Sequence, residues 1–185
     1  MEYRLTTPCT AADLAPLRAG DTVLLSGVVY TARDQAHRRM MEALDKGEKL
    51  PFPLEGSAIY YVGPTPERPG EVIGSAGPTT SGRMDAMSPR LLDLGNKIMI
   101  GKGKRDEAVK AAVVRNGAVY LAALGGAGAL MAKSVKTLEV IAWEDLGCEA
   151  VRRLTVQDMP LTVVLDAVGG DLYQSGPAAY LAGAE

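Results

Sequence analysis

The chain has 185 residues, enough for one domain with a full core, and is 47% hydrophobic against 23% charged. A net charge of −2 gives no general pull toward nucleic acid or anionic lipid, and one Trp and one Phe leave few rings for stacking bases. Two cysteines, Cys9 and Cys148, lie far apart with no CxxC pair, which excludes a cysteine-rich zinc site or an iron–sulfur cluster held by this sequence alone. Two free thiols, an N-terminus without an apolar leader core and the lack of any run of membrane-spanning length point to a cytoplasmic protein with no membrane segment.

Residues 1–19 read as an N-terminal extension to a single domain covering 1–185. Thr22–Val29 is an apolar, β-branched run and predicts a buried strand, with Gly27 marking a bulge or a close backbone approach. Arg33-Asp34 opens a helix to about Leu44, because Ala36, Met40 and Leu44 recur at helical spacing and Asp34 suits the positive end. Ala58–Val62 predicts a short strand, and Gly63–Gly70, with three prolines, a loop.

Ser88–Leu94 predicts a short helix with Pro89 in its first turn, and Lys97–Ile100 a strand running into Gly101-Lys102-Gly103-Lys104. Asp106–Arg115 is an alanine-rich helix that stops near Asn116-Gly117. Val119–Ala123 predicts a strand, Gly125–Lys133 a glycine-led helix, and Thr137–Trp143 and Leu161–Ala167 further strands. Ser175–Glu185 is weakly patterned and reads as a tail or a partner contact. Apolar residues at successive strand positions imply strands covered on both faces. The fold class is therefore α/β, a mixed sheet with flanking helices.

Three cationic motifs carry the chemistry. Thr31-Ala-Arg33-Asp34-Gln-Ala-His37 lies where a strand becomes a helix, a place where backbone amides point outward. There Arg33 is either a carboxylate clamp or a partner of Asp34 in a helix cap. His37, the sole histidine, faces either the core or the site. Residues 77–85, Gly-Pro-Thr-Thr-Ser-Gly-Arg-Met-Asp, put the hydroxyls of Thr79, Thr80 and Ser81 and the guanidinium of Arg83 in one tight loop. That loop suits a small anion, or else is a polar turn. The third motif places Lys102 between two glycines at a strand end.

Phosphate-loop and dinucleotide spacings fail at Gly95–Lys102 and at Gly125-Gly126-Ala-Gly128, where close packing is the better reading. Glu144, Asp145 and Glu149 could serve as acid and base or as a solvated turn and helix cap. If the three strand ends converge, Arg33, Arg83 and Lys102 form a pocket for two carboxylates. Thr79 then becomes a proton acceptor that needs activation by neighbouring cations.

Taken in order, LSGVVYTARDQAH, GPTTSGRMD, IGKGK, GGAGALMAKSVK and WEDLGCEAVRRLTVQDMPLTVVLDAVGGDLY resemble the β subunit of class I fumarate hydratase and L-tartrate dehydratase, the C-terminal domain of single-chain class I fumarases. The resemblance runs from about Gly20 to Tyr173. It implies a swivelling β/β/α domain and a [4Fe–4S] cluster held by three cysteines of a partner α subunit, with no metal ligand in this chain. It implies that Arg33, Arg83 and Lys102 grip the carboxylates of a C4 dicarboxylate. Thr79, or a residue directly beside it, would remove the C3 proton of malate. Thr80 and Ser81 would shape the loop against the substrate, with Asp34 and His37 in support. A dimer of αβ pairs is the implied assembly. The expected activity is hydration and dehydration of malate and fumarate, or of tartrate. The alternative of another class is a non-catalytic anion-binding or assembly subunit.

Overall fold

The apolar run at Thr22 does form a strand, and the sheet is built around it. A computed structural model describes residues 1–123 and 126–183. Its strands are β1 (Glu2–Thr7), β2 (Thr22–Thr31), β3 (Ala58–Tyr60), β4 (Ile98–Gly101), β5 (Val119–Ala122), β6 (Val135–Ala142) and β7 (Val151–Leu165). The helices are α1 (Ala11–Leu14), α2 (Asp34–Asp45), α3 (Ser88–Asp93), α4 (Glu107–Asn116), α5 (Gly128–Ser134) and α6 (Leu172–Ala182).

The sheet order is β1-β2-β3-β4-β5-β7-β6, and β7 also pairs with β2. Strands β1 to β5 run parallel, whereas β7 is antiparallel to β2, β5 and β6. The circuit β2–β3–β4–β5–β7–β2 is thereby closed by hydrogen bonds. Alternate residues on its strands collect into one apolar cluster, among them Val23, Leu25, Tyr60, Ile100, Leu121 and Leu161. The intervening residues, such as Ile59, Tyr61, Met99 and Tyr120, meet Met40, Leu91, Leu92 and Val113 from α2, α3 and α4 in a second cluster. Both faces of β3, β4 and β5 are covered, as their unbroken apolar runs require.

Local signals explain most boundaries. Asp106 caps α4 by accepting the Val109 amide at 2.9 Å, and Gly117 ends that helix in the left-handed region at φ 57°. Pro89 sits in the first turn of α3. Gly27 lies at a register shift between β2 and β7, with φ 100°, and its Cα edge faces the backbone of Thr7.

Several expectations change. Residues 1–19 are no extension: Glu2–Thr7 pairs in register with Thr22–Gly27 as β1, and Leu14 and Leu17 are fully buried. The strand expected at Leu161–Ala167 begins ten residues earlier, at Val151, because its charged outward positions hide the pattern. Ser175–Ala182 is the body of helix α6, which buries no residue and leaves Tyr180 and Leu181 exposed. The helix expected from Gly125 begins at Gly128, and Gly125 itself lies outside the described residues. Among the described residues no helix is long and apolar enough to cross a membrane.

A Cβ at position 27 would stand 2.6 Å from Thr7 Oγ1 and 2.8 Å from its carbonyl oxygen, on a backbone with positive φ. Gly27→Ala should therefore cost about 2 kcal/mol or more of stability in chemical denaturation. An unchanged midpoint would mean that β1 does not press on β2 at this point.

Candidate functional site

In a parallel sheet the carboxyl ends of the strands form the natural rim for a ligand. Here β2 ends at Thr31 and releases Arg33 and Asp34 into the start of α2. β3 ends at Tyr60, and the following residues hold the 77–85 loop: Thr79 donates its amide to Tyr61 O at 2.8 Å, and Val62 pairs with Pro78. β4 ends at Gly101 and releases Lys102, which pairs in parallel with Thr80. Three successive strand ends thus bring the three cationic motifs to one rim.

The guanidinium groups of Arg33 and Arg83 meet across Asp34. Arg33 Nε lies 3.7 Å and Arg83 Nη1 4.0 Å from Asp34 Oδ2, and Arg33 Nη2 lies 3.5 Å from Glu149 Oε1. These separations are too long for good hydrogen bonds. Arg33 Nε and Asp34 Oδ2 are accordingly buried without a partner. Arg33 therefore does face Asp34, but loosely, and keeps donor capacity for something else. Its side chain is 22% exposed and that of Arg83 55%.

Glu149 resolves the ambiguity of the acidic segment. Its Oε2 accepts the Gln35 amide at 2.7 Å and caps α2, whose own N-cap residue Arg33 supplies no side-chain cap. Asp145 forms a two-pronged pair with the guanidinium of Arg39. Asp145 and Glu149 thus both serve helix α2.

His37 lies wholly in the core. Nδ1 is 2.9 Å from Arg33 O, so it carries the proton and donates it to that carbonyl, leaving Nε2 as a buried acceptor without a partner. The ring stands edge-on to Tyr61 at 5.3 Å. Burial pushes its pKa down from 6.5 to about 4, and the nearby Arg105 charge adds to that effect, so the imidazole is neutral.

In the 77–85 loop, Thr79 is half-buried, Thr80 and Arg83 are exposed, and Ser81 is fully buried at the start of a 3-10 turn, Ser81–Met84. Ser81 Oγ accepts the Lys102 amide at 3.0 Å and lies 2.9 Å from the Tyr120 hydroxyl, which is also 2.9 Å from Gly103 O. Each proton is used once if Tyr120 donates to Gly103 O and Ser81 donates to Tyr120. The Ser81 hydroxyl is thus spent on holding two loops together. Gly101 permits this contact, since a Cβ there would fall 2.0 Å from Ser81 Oγ. Lys102 is exposed, and among the described residues it has no carboxylate partner.

Sequence reasoning did not single out Arg105 or give Asp85 a role. Arg105 Nε donates to Asp85 Oδ1 at 2.5 Å, and the Asp106 amide donates to Asp85 Oδ2 at 2.7 Å. Arg105 follows a run of glycines and lysines and reads there as one more surface cation. Its burial was visible only in three dimensions.

Cys9 is buried, with its thiol pushed up to about 11 by burial and by Asp13, while Cys148 is exposed. Among the described residues no group of three or more His, Cys, Asp or Glu side chains is placed to hold a metal ion.

The sequence model of the family described as Fumarase C-terminus matches residues 1–176. The chain belongs to the fumarase C-terminus family. Fumarate hydratase 2 of Leishmania major is 40% identical over 167 residues, which are 87% of this chain and 29% of that protein. The aerobic class I fumarate hydratase of Escherichia coli strain K12 is 37% identical over 165 residues, 88% of this chain and 30% of that protein. The L(+)-tartrate dehydratase subunit beta of the same strain is 33% identical over 177 residues, 93% of this chain and 87% of that protein. The chain thus spans under a third of the length of these fumarate hydratases and most of the tartrate dehydratase subunit beta. The fumarase C-terminus match includes β1, which agrees with its place in the sheet.

Because His37 is neutral when folded and protonates readily when unfolded, it supports stability above about pH 6.5 and loses that support as pH falls toward 4. Between pH 7 and pH 5 this amounts to about 2 kcal/mol. His37→Gln should flatten the pH dependence of denaturation by that amount. A variant whose stability falls as steeply as the wild type over this range would show that His37 is already charged in the fold.

Proposed function

We propose that this chain is the β subunit, or the equivalent C-terminal unit, of a hydro-lyase that hydrates and dehydrates a C4 dicarboxylate, with malate and fumarate as the substrate pair. The observation that carries the proposal is the meeting of Arg33 and Arg83 across Asp34, on the rim that also bears Thr79 and Lys102. Two guanidinium groups with unspent donors suit two-pronged capture of a carboxylate. Removing a proton from the carbon beside that carboxylate builds negative charge onto it, and fixed cations stabilise that charge without reorganising.

Thr79 is the proposed proton acceptor. Its amide is tied to Tyr61 O, which fixes the residue, while among the described residues its hydroxyl makes no hydrogen bond. Thr80 lies beside Lys102 and completes the wall, and Ser81 holds the loop's shape from below. Asp34 spaces the two arginines, and His37 steadies Arg33 through its carbonyl.

The residues of this chain do not fit an iron–sulfur cluster, since one thiol is buried and protonated and the other is exposed on its own. In this reading a [4Fe–4S] cluster resides on a partner α subunit, and this chain contributes proton removal and charge holding. The name subunit beta carried by the E. coli relative supports such a partner. A dimer of αβ pairs, a swivelling β/β/α domain and a reducing, cytoplasmic setting suited to two free thiols belong to the same proposal.

The test is reconstitution with an α subunit, followed by the rate of fumarate formation from malate. Arg83→Ala should lower kcat/KM by about 100-fold or more. Thr79→Ala should lower kcat by roughly 100- to 10,000-fold and leave KM near the wild-type value. Full turnover in Thr79→Ala, with activity lost only when the subunits separate, would instead mark an assembly subunit. Tartrate turned over in preference to malate would move the substrate and keep the chemistry.

A further inference from the structure

We propose that Arg105 is a positioning residue that sets the Thr79–Arg83 loop against the Lys102 loop, so that one buried cation fixes both walls of the site. The inference rests on the hydro-lyase reading only for its effect on turnover. The geometry itself is independent of it.

The Arg105 side chain is fully buried, at 0% exposure. A guanidinium so placed must spend its donors on fixed partners. Nε binds Asp85 at 2.5 Å, and the other oxygen of that carboxylate takes the Asp106 amide. One side chain therefore ties the residue after the 3-10 turn to the start of α4. Nη2 donates to Ser88 Oγ at 2.8 Å, and Ser88 in turn donates to Met84 O, the last residue of the turn that carries Arg83. Nη1 reaches Met99 Sδ on β4 at 3.3 Å.

Two aromatic rings hold the guanidinium as well. Tyr61 and Tyr120 flank it with ring centres 5.4 and 5.0 Å away. Tyr61 carries the carbonyl that holds the Thr79 amide, and its hydroxyl meets Ser88. Tyr120 reaches Gly103 O and Ser81 Oγ, and Ser81 receives the Lys102 amide. Apart from the contacts with Met99 on β4 and with the start of α4, the paths out of Arg105 thus reach the backbone of the turn that bears Arg83 or of the loops that bear Thr79 and Lys102.

The guanidinium fork is what makes these contacts simultaneous. Lysine keeps the charge but offers a single ammonium with no planar faces. In the enzyme assembled with its partner subunit, Arg105→Lys should let peptides covering Thr79–Asp85 and Gly101–Arg105 exchange amide hydrogens about tenfold faster, at a temperature where circular dichroism shows the fold intact. Under the same conditions kcat/KM for malate should fall about 100-fold, the scale of a small misplacement of reacting groups. Wild-type exchange and wild-type kcat/KM, with only a lowered melting temperature, would overturn the inference.

Tyr120→Phe removes only the hydroxyl link to Gly103 and Ser81, and should give the same changes in weaker form. If Arg105→Lys does not assemble, that variant decides the matter: faster loop exchange supports the inference and unchanged exchange overturns it. A wild-type complex that dehydrates no dicarboxylate would remove the hydro-lyase reading, while loop exchange would still judge Arg105.

Discussion

The fold depends on β7 pairing with two strands that the chain would otherwise leave apart. Along most of its length it runs antiparallel to β2, and at its end it also reaches β5. Without it, the parallel strands β2 to β5 would form an open ribbon with two unpaired edges, each exposing backbone groups to other chains. With it, the edges meet and the apolar residues on one side of every strand are enclosed together. The closure also sets the strand ends at fixed spacings around one rim. Arg33, the 77–85 loop and Lys102 inherit their relative positions from that ring.

The site holds its charges in a loose state. Arg33 Nε and Asp34 Oδ2 sit close together, buried and unsatisfied. A buried group in that condition costs about 1–3 kcal/mol each, so folded chains seldom keep them without a use. The neighbouring framework is the opposite: Asp85, Arg105, Ser88, Tyr120 and Ser81 satisfy one another closely. A tight frame around slack donors is the arrangement expected where binding contacts must stay free yet aligned.

Much of the scaffold was legible in the sequence. The strand at Thr22, the helix after Asp34, the helix after Asp106 and the short apolar strands carry apolar periodicity or caps that act locally. β1 escaped because Glu2–Thr7 alternates exposed and half-buried residues, and its pairing partner lies twenty positions away. The first part of β7 escaped because Arg152, Arg153, Gln157 and Asp158 interrupt the apolar signal, and Asp158 even adopts a positive φ of 48°. At the site, Arg33, Arg83 and Lys102 stood out because each sits in a compact polar motif after a strand. The links between motifs, Asp85 to Arg105 and Ser81 to Tyr120, join residues that only the ring brings together. A short-range pattern has no trace of them.

The exposure of Arg83 has a thermodynamic consequence. An ion pair made by a half-solvated guanidinium is worth about 0–1 kcal/mol, because water competes for both charges. The same pair gains strength when a covering surface excludes that water. Any partner that closes over this rim therefore raises the affinity for an anionic ligand, and by reciprocity the ligand must tighten the partner's grip by the same factor. Under the proposed reading the isolated chain is in this sense an unloaded clamp, for which substrate and assembly would act as each other's effectors.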